Sequence, residues 1–211
     1  MTTYTAIPGS DIDPESPITA SLMALLRDNP IAITEGAAGA PSIATAALAD
    51  DFMGVLLATQ TVSAVANVEF TSLIDSTYDT YAIVIEDLLP VTSGEFRIQV
   101  YTTSWKTGAT YEYYYDGTTS SSSVSASHIV AMAAAGNSAN GSCSGIVYLH
   151  KPSATKYARV SGRMTGINSA IDIADTRFCG FENSAAAFTG IRFLMASGNI
   201  STGTLKLYGI K

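Results

Sequence analysis

The sequence has little charge and no long apolar run. Charged residues make up 14% of the 211 positions, against roughly 25% in ordinary soluble domains. Such a surface has to be covered by Ser, Thr, Gly and Asn, or partly buried against other chains. No stretch of 18 apolar residues occurs, so we predict no membrane insertion. The first residues lack the basic start and apolar core of a signal peptide, so we expect synthesis in a cytoplasm without signal-directed secretion.

Histidine and cysteine are also scarce. His128 and His150 have no second ligand at metal-binding spacing, so we predict surface or structural roles for them. Cys143 and Cys179 lie in apolar, alternating runs without a CxxC pattern, which favours free buried thiols. Neither a GxSxG elbow nor a glycine-rich phosphate loop occurs. We therefore predict no catalytic residue, no metal and no cofactor.

The net charge of −7 is concentrated at the start of the chain. Residues 1–51 hold seven acidic residues against Arg27 alone, and the remainder is close to neutral. Nucleic acid is a poor partner for this chain, because phosphate binding needs clustered Lys and Arg. The acidic segment suits a basic docking surface on another protein. The alternative is that its acids only solvate an extended segment.

Residues 11–41, DIDPESPITASLMALLRDNPIAITEGAAGAP, predict one helix over about residues 16–29 and an extended linker behind it. Ser16 can cap this helix, and Pro17 suits its first position. Asn29-Pro30 ends it, because the residue before proline avoids the helical region. A helix this short is marginal in water, so it has to dock on a partner. The predicted anchoring residues are Ile18, Leu22, Leu25, Leu26, Pro30, Ile31 and Ile33.

Later in the chain the pattern changes to alternation with period two, which is typical of strands. In residues 80–90, for example, Tyr81, Ile83 and Ile85 recur at every second position. Gly-rich turns separate about eight such segments. We predict a mainly β fold, an antiparallel β-sandwich of jelly-roll-like type. It covers residues 61–211, and an anchoring arm covers residues 1–60.

Residues 104–117, SWKTGATYEYYYDG, hold the only Trp and four of the eleven Tyr. Exposed Trp and Tyr side chains stack on sugar rings and offer polar edges. Alternation places the first, second and last of these tyrosines on one strand face. The alternative is a hairpin whose tyrosines cover the sandwich or a trimer seam. The candidate glycan or receptor contacts are Trp105, Tyr111, Tyr113, Tyr115 and Asp116.

Three stretches resemble a known group of proteins. The segment at 11–41 resembles an N-terminal segment that recurs in tail-fibre and other virion proteins of tailed bacteriophages. The ending AFTGIRFLMASGNISTGTLKLYGIK is similar to the end of the β-sandwich domains in the same proteins. Residues 78–103, YDTYAIVIEDLLPVTSGEFRIQVYTT, fit the opening strands of that domain. The chain lacks the heptads or repeats of long fibre shafts.

The resemblance implies a structural protein of the virion. Residues 1–50 would bind other virion proteins (portal or connector, capsid or tail), and the sandwich would project as a fibre, spike or decoration in a homotrimer. No catalytic residue carries over. Two other hypotheses stay open: a lectin-like module that binds a host-surface glycan, and a polysaccharide hydrolase with Glu112 and Asp116 as its carboxylates.

Overall fold

The computed structural model describes residues 3–8, 17–34, 37–38, 40, 54–117, 120–153, 157 and 159–211. The chain divides into two compact units, Met1–Phe52 and Met53–Lys211. The first unit contains helix α1, Ala20–Thr34. The described part of the second unit forms the strands β1 Val55–Val65, β2 Asn67–Thr71, β3 Thr80–Pro90, β4 Gly94–Tyr101, β5 Tyr111–Gly117, β6 Ser121–Ala126, β7 Ile129–Ala135, β8 Cys143–His150, β9 Arg159–Ile167, β10 Ile173–Glu182, β11 Gly190–Met195 and β12 Ile200–Ile210.

Helix α1 begins later than predicted, and Thr19 caps it. The Thr19 hydroxyl oxygen accepts a hydrogen bond from the backbone N–H of Leu22 at 3.1 Å. Its carbonyl oxygen accepts the first helical bond, from Met23, also at 3.1 Å. This arrangement is the usual N-cap. Pro17 therefore precedes the helix instead of opening it, and Ser16 lies outside the described residues.

The predicted end of the helix at Asn29 is also wrong, because α1 continues through Pro30 to Thr34. Pro30 cannot donate a helical hydrogen bond, which is costly in isolation. Contacts within the first unit oppose this local preference. The Asn29 carboxamide accepts from the Thr5 N–H at 3.1 Å and donates to the Thr5 carbonyl at 2.8 Å. Ala32, which lies in the helical turn after Pro30, is fully buried, so packing also stabilises this extension of the helix.

Two antiparallel sheets build the second unit. The eight-stranded sheet has the order β1-β12-β3-β8-β9-β10-β5-β6, and the four-stranded sheet has the order β2-β11-β4-β7. The predicted fold class, a mainly β antiparallel sandwich behind an N-terminal helix, is confirmed. Strand β1 starts at Val55, so the sheet begins several residues before the predicted boundary at residue 61.

The core lies between the sheets and is built from alternate residues. On β3, the predicted set Tyr81, Ile83 and Ile85 is buried. Phe96 and Phe193, from β4 and β11, stack with their ring centroids 5.7 Å apart. The alternate residues Phe96, Ile98 and Val100 of β4 are fully buried in the same way, as period-two alternation requires.

Small residues allow the large rings to fit. Gly162 on β9 lies opposite Phe178 on β10. A Cβ at Gly162 would lie only 2.7 Å from Cζ of the Phe178 ring, so the ring needs a glycine beneath it. On the four-stranded sheet, the alanine-rich strand β7 lies close to β10.

Replacement of Phe193 by alanine should destabilise the sandwich by about 3–5 kcal/mol, because it leaves a cavity beside Phe96. The free energy of unfolding from urea denaturation measures this loss. Val124→Ala is the matched control, since Val124 is 78% exposed and should change stability by less than about 0.5 kcal/mol. Equal losses for both variants would contradict the assigned core.

Candidate functional site

Three of the four tyrosines of β5 point into the sandwich, and Tyr114 points outward. The predicted alternation is correct, but Tyr111 is fully buried and Tyr115 is only 9% exposed. Tyr113 is partly buried, and its ring stacks on that of Tyr115 with centroids 6.1 Å apart. Tyr111 and Tyr115 are therefore closed to a ligand, and their prediction as glycan contacts is wrong. The alternative prediction, in which the tyrosines of this hairpin pack on the sandwich, fits Tyr111 and Tyr115.

The Tyr111 hydroxyl fixes the loop between β4 and β5. It accepts a hydrogen bond from the Val100 N–H and donates one to the Lys106 carbonyl, both at 3.0 Å. The Lys106 N–H donates back to the Val100 carbonyl at 3.0 Å. Burial is the main reason that the pKa of Tyr111 is raised, so the hydroxyl keeps its proton.

Trp105, carried by that loop, lies on the outer face of the four-stranded sheet. Its ring meets the Tyr101 ring edge-on, with centroids 5.1 Å apart. The Arg192 guanidinium carbon lies 4.5 Å from the indole centroid, a cation–π contact. Arg192 is oriented by the side-chain oxygen of Gln99 at 2.9 Å and by Glu69 at 3.5 Å. We call these five residues the Trp105 patch.

Asp116 does not belong to the Trp105 patch. It alternates with the buried tyrosines, so it points to the outer face of the other sheet, where it lies opposite Arg177. Glu112 is on the same strand face, four residues earlier. At strand rise the two Cα atoms are about 13 Å apart, which is too far for a glycosidase carboxylate pair. The hydrolase hypothesis loses its candidate residues.

A serine, a histidine and a glutamate line up beside the four-stranded sheet. Ser127 Oγ lies 3.0 Å from Nδ1 of His128, and Glu95 Oε2 lies 3.7 Å from Nε2. Two N–H groups of Arg97 already bind this Glu95 oxygen, at 2.9 and 2.6 Å. Burial, and then the charge of Arg97, lower the pKa of His128. The glutamate is neutralised, so this line lacks the charge pattern of a catalytic triad.

A shallow pocket opens on the outer face of the eight-stranded sheet. Its volume is about 430 Å³. Its lining comes from three neighbouring strands and consists of His150, Arg159, Val160, Ser161, Cys179, Gly180 and Phe181. His150 Nε2 and Ser161 Oγ are 2.9 Å apart. We call this the β9 pocket, since β9 crosses its centre.

The two cysteines differ in exposure. Cys143 is buried, as predicted, and burial raises the pKa of its thiol to about 12. Cys179 is exposed, so its predicted burial is wrong. It alternates with buried Phe178 on β10 and therefore points outward. An apolar run did not reveal which of its two faces is the inner one.

The helix of the first unit exposes part of the predicted anchoring set. Of the predicted residues, Leu22 is buried and Leu25 and Ile33 are partly buried, whereas Ile18, Leu26, Pro30 and Ile31 are exposed. Met23, which sequence reasoning missed, is 55% exposed, and Leu26 is 52% exposed. These two lie three positions apart, so they share a helix face. The exposed apolar surface of α1 therefore includes a residue outside the predicted anchoring set, and Leu22 of that set is buried.

Comparison with protein families, curated proteins and solved structures finds no match for the chain. The residues that the structure describes contain no group of three or more His, Cys, Asp or Glu that could hold a metal ion. No helix among them has the length and apolar content needed to cross a membrane.

Tyr111→Phe should release the loop that carries Trp105. The substitution leaves the Val100 N–H and the Lys106 carbonyl without their partner, at a cost of about 1–3 kcal/mol. Because Trp105 is the only tryptophan, acrylamide quenching of its fluorescence reports the loop directly and should increase. Tyr114→Phe is the control, since Tyr114 is 49% exposed. Unchanged quenching and stability in Tyr111→Phe would disprove this role.

Proposed function

We propose that the protein is a structural component of a bacteriophage particle. Residues 1–50 anchor it to other virion proteins, and the β-sandwich is displayed as a fibre, spike or decoration. The observation that carries the proposal is the first unit, a separate acidic segment whose helix exposes Met23 and Leu26. Exposed apolar side chains of this kind are typical of a surface that binds a partner.

The charge of the first unit defines the partner further. Residues 1–51 carry seven acidic residues and one basic residue. A partner surface with an apolar groove and a basic rim would match both the helix face and this charge. The anchoring helix adds its apolar area to such a groove, and the acids speed and orient the encounter.

The sandwich supports a display role and association of several copies. Its surface has little charge, and large apolar side chains point outward from it. Leu56 is 51% exposed, Tyr114 is 49% exposed and Val124 is 78% exposed. Cyclic association, such as the homotrimer, would cover such residues.

A variant with Met23→Gln and Leu26→Gln should bind particles more weakly than the wild type. Each half-exposed side chain has about 1 kcal/mol to gain from full burial, so the affinity should fall about 30-fold. Glutamine keeps the helix propensity, and circular dichroism checks the fold. The measurement is co-sedimentation of purified protein with particles that lack it.

Ile173→Gln, an equally polar change on the sandwich, is the control and should bind normally, since Ile173 is 82% exposed and is not among the residues assigned to self-association. Removal of residues 1–41 should abolish binding. Normal decoration by either the double variant or the truncated protein would disprove the anchoring role.

A carbohydrate-binding module is the second candidate, and the Trp105 patch favours it. The indole is only partly buried, and contacts with Arg192 and Tyr101 hold it in place. An ordered aromatic ring binds a sugar at little further cost in entropy. The adjacent Arg192 and Glu69 are partly exposed and carry a donor and an acceptor for hydroxyl groups.

Trp105→Ala should abolish any glycan binding that an array detects for the wild type, since aromatic contacts dominate such sites. Tyr114→Ala, which removes an exposed aromatic ring from the opposite sheet, should leave that binding intact. Binding that survives Trp105→Ala, or that is lost with Tyr114→Ala, would exclude the Trp105 patch as the glycan site.

A further inference from the structure

We propose that the β9 pocket binds a small carboxylic acid built on a single ring, with Arg159 as the carboxylate ligand. The pocket is formed by the sheet opposite the Trp105 patch, and its binding does not depend on anchoring to a particle. Its volume of about 430 Å³ falls at the lower end of the range for ligand pockets, which suits one or two rings.

The charge at the rim selects an anion. Arg159 is exposed and makes no ion pair with any residue that the structure describes. Arg163 lies on the same face of β9 but is already paired. Its guanidinium donates to both carboxylate oxygens of Asp175, at 2.7 and 3.0 Å. Arg159 therefore keeps a planar fork of N–H donors, whose geometry matches a carboxylate.

The polar atoms of the floor suit hydroxyl groups. Burial, and then the charge of Arg159, lower the pKa of His150, so the ring is neutral at pH 7. When the Ser161 hydroxyl donates to Nε2, Nδ1 carries the proton. The pair then offers an N–H donor and the remaining lone pair of Ser161 as an acceptor. A ring that carries hydroxyls can use both.

The rest of the lining is apolar. Phe181 forms one wall, and the Tyr157 ring packs against it with centroids 5.5 Å apart, which fixes its orientation. The Cys179 side chain and the backbone at Gly180 complete the floor. An aromatic wall beside a charged rim and a hydroxyl-binding pair suits a hexuronic acid better than a neutral sugar or inorganic phosphate.

Cys179 makes the proposal testable in the full-length protein. Only two cysteines are present, and Cys143 is buried with its thiol pKa raised to about 12. Iodoacetamide at about pH 8 should therefore alkylate Cys179 and leave Cys143 unmodified. The rate at Cys179, followed by mass spectrometry, reports whether the pocket is occupied.

Sodium glucuronate should slow this alkylation, and glucose at the same concentration and ionic strength should not. In Arg159→Gln the half-protecting glucuronate concentration should rise by about tenfold or more, the usual loss for a charged hydrogen bond. Arg177→Gln is the matched control: it makes the same charge change on the same sheet face, outside the pocket.

Protection by glucuronate that disappears in Arg159→Gln and persists in Arg177→Gln supports the site. No protection, or equal protection by glucose, overturns it. The proposal is also wrong if Arg159→Gln behaves as the wild type, or if Cys179 does not react in the native protein. Unreactive Cys143 in each variant shows that the sandwich is folded.

Discussion

Burial of alternate side chains between the two sheets is the constraint on which the other surfaces depend. Once Ile98 and Val100 enter the core, Gln99 between them has to face away from it. The same rule turns His150, Ser161 and Cys179 outward, because Leu149, Val160 and Phe178 are buried. The side of the sheet on which each candidate binding surface lies therefore follows from the apolar set, and contacts such as that of Arg192 with Gln99 then orient the side chains there.

Sequence reasoning predicted what depends on local pattern and missed what depends on pairing across the fold. Alternation gave the strand type of β3 and β4 and placed three tyrosines on one face of β5. It did not separate the inner face from the outer one, because tyrosine is stable in either place. Alternation also could not predict that Arg192 contacts Trp105. Arg192 is 87 positions away and approaches only because β11 pairs with β4.

The bounds of helix α1 also depend on contacts between residues far apart in the sequence. Asn29-Pro30 is a sound local stop signal, yet the helix continues. The opposing contact is a pair of hydrogen bonds between Asn29 and Thr5, 24 positions apart. Proline preferences describe an isolated chain, and tertiary contacts can outweigh a cost of about 3 kcal/mol. The exposure of Met23 and Leu26 likewise depends on which helix face packs within the first unit, and local sequence does not determine this.

The two outer faces of the sandwich differ in how easily another copy could cover them. On the four-stranded sheet, the pairs Glu69–Arg192 and Glu95–Arg97 would have to be desolvated, which ion pairs resist. On the eight-stranded sheet, strands β1, β12, β3 and β8 place Leu56, Tyr208, Ala82 and Tyr148 in one cross-strand row. Association through this row would bury apolar surface. The same row continues from Tyr148 to Ser161 and Cys179, the last two of which line the β9 pocket. Self-association through this row and ligand binding in the β9 pocket would therefore compete for neighbouring surface.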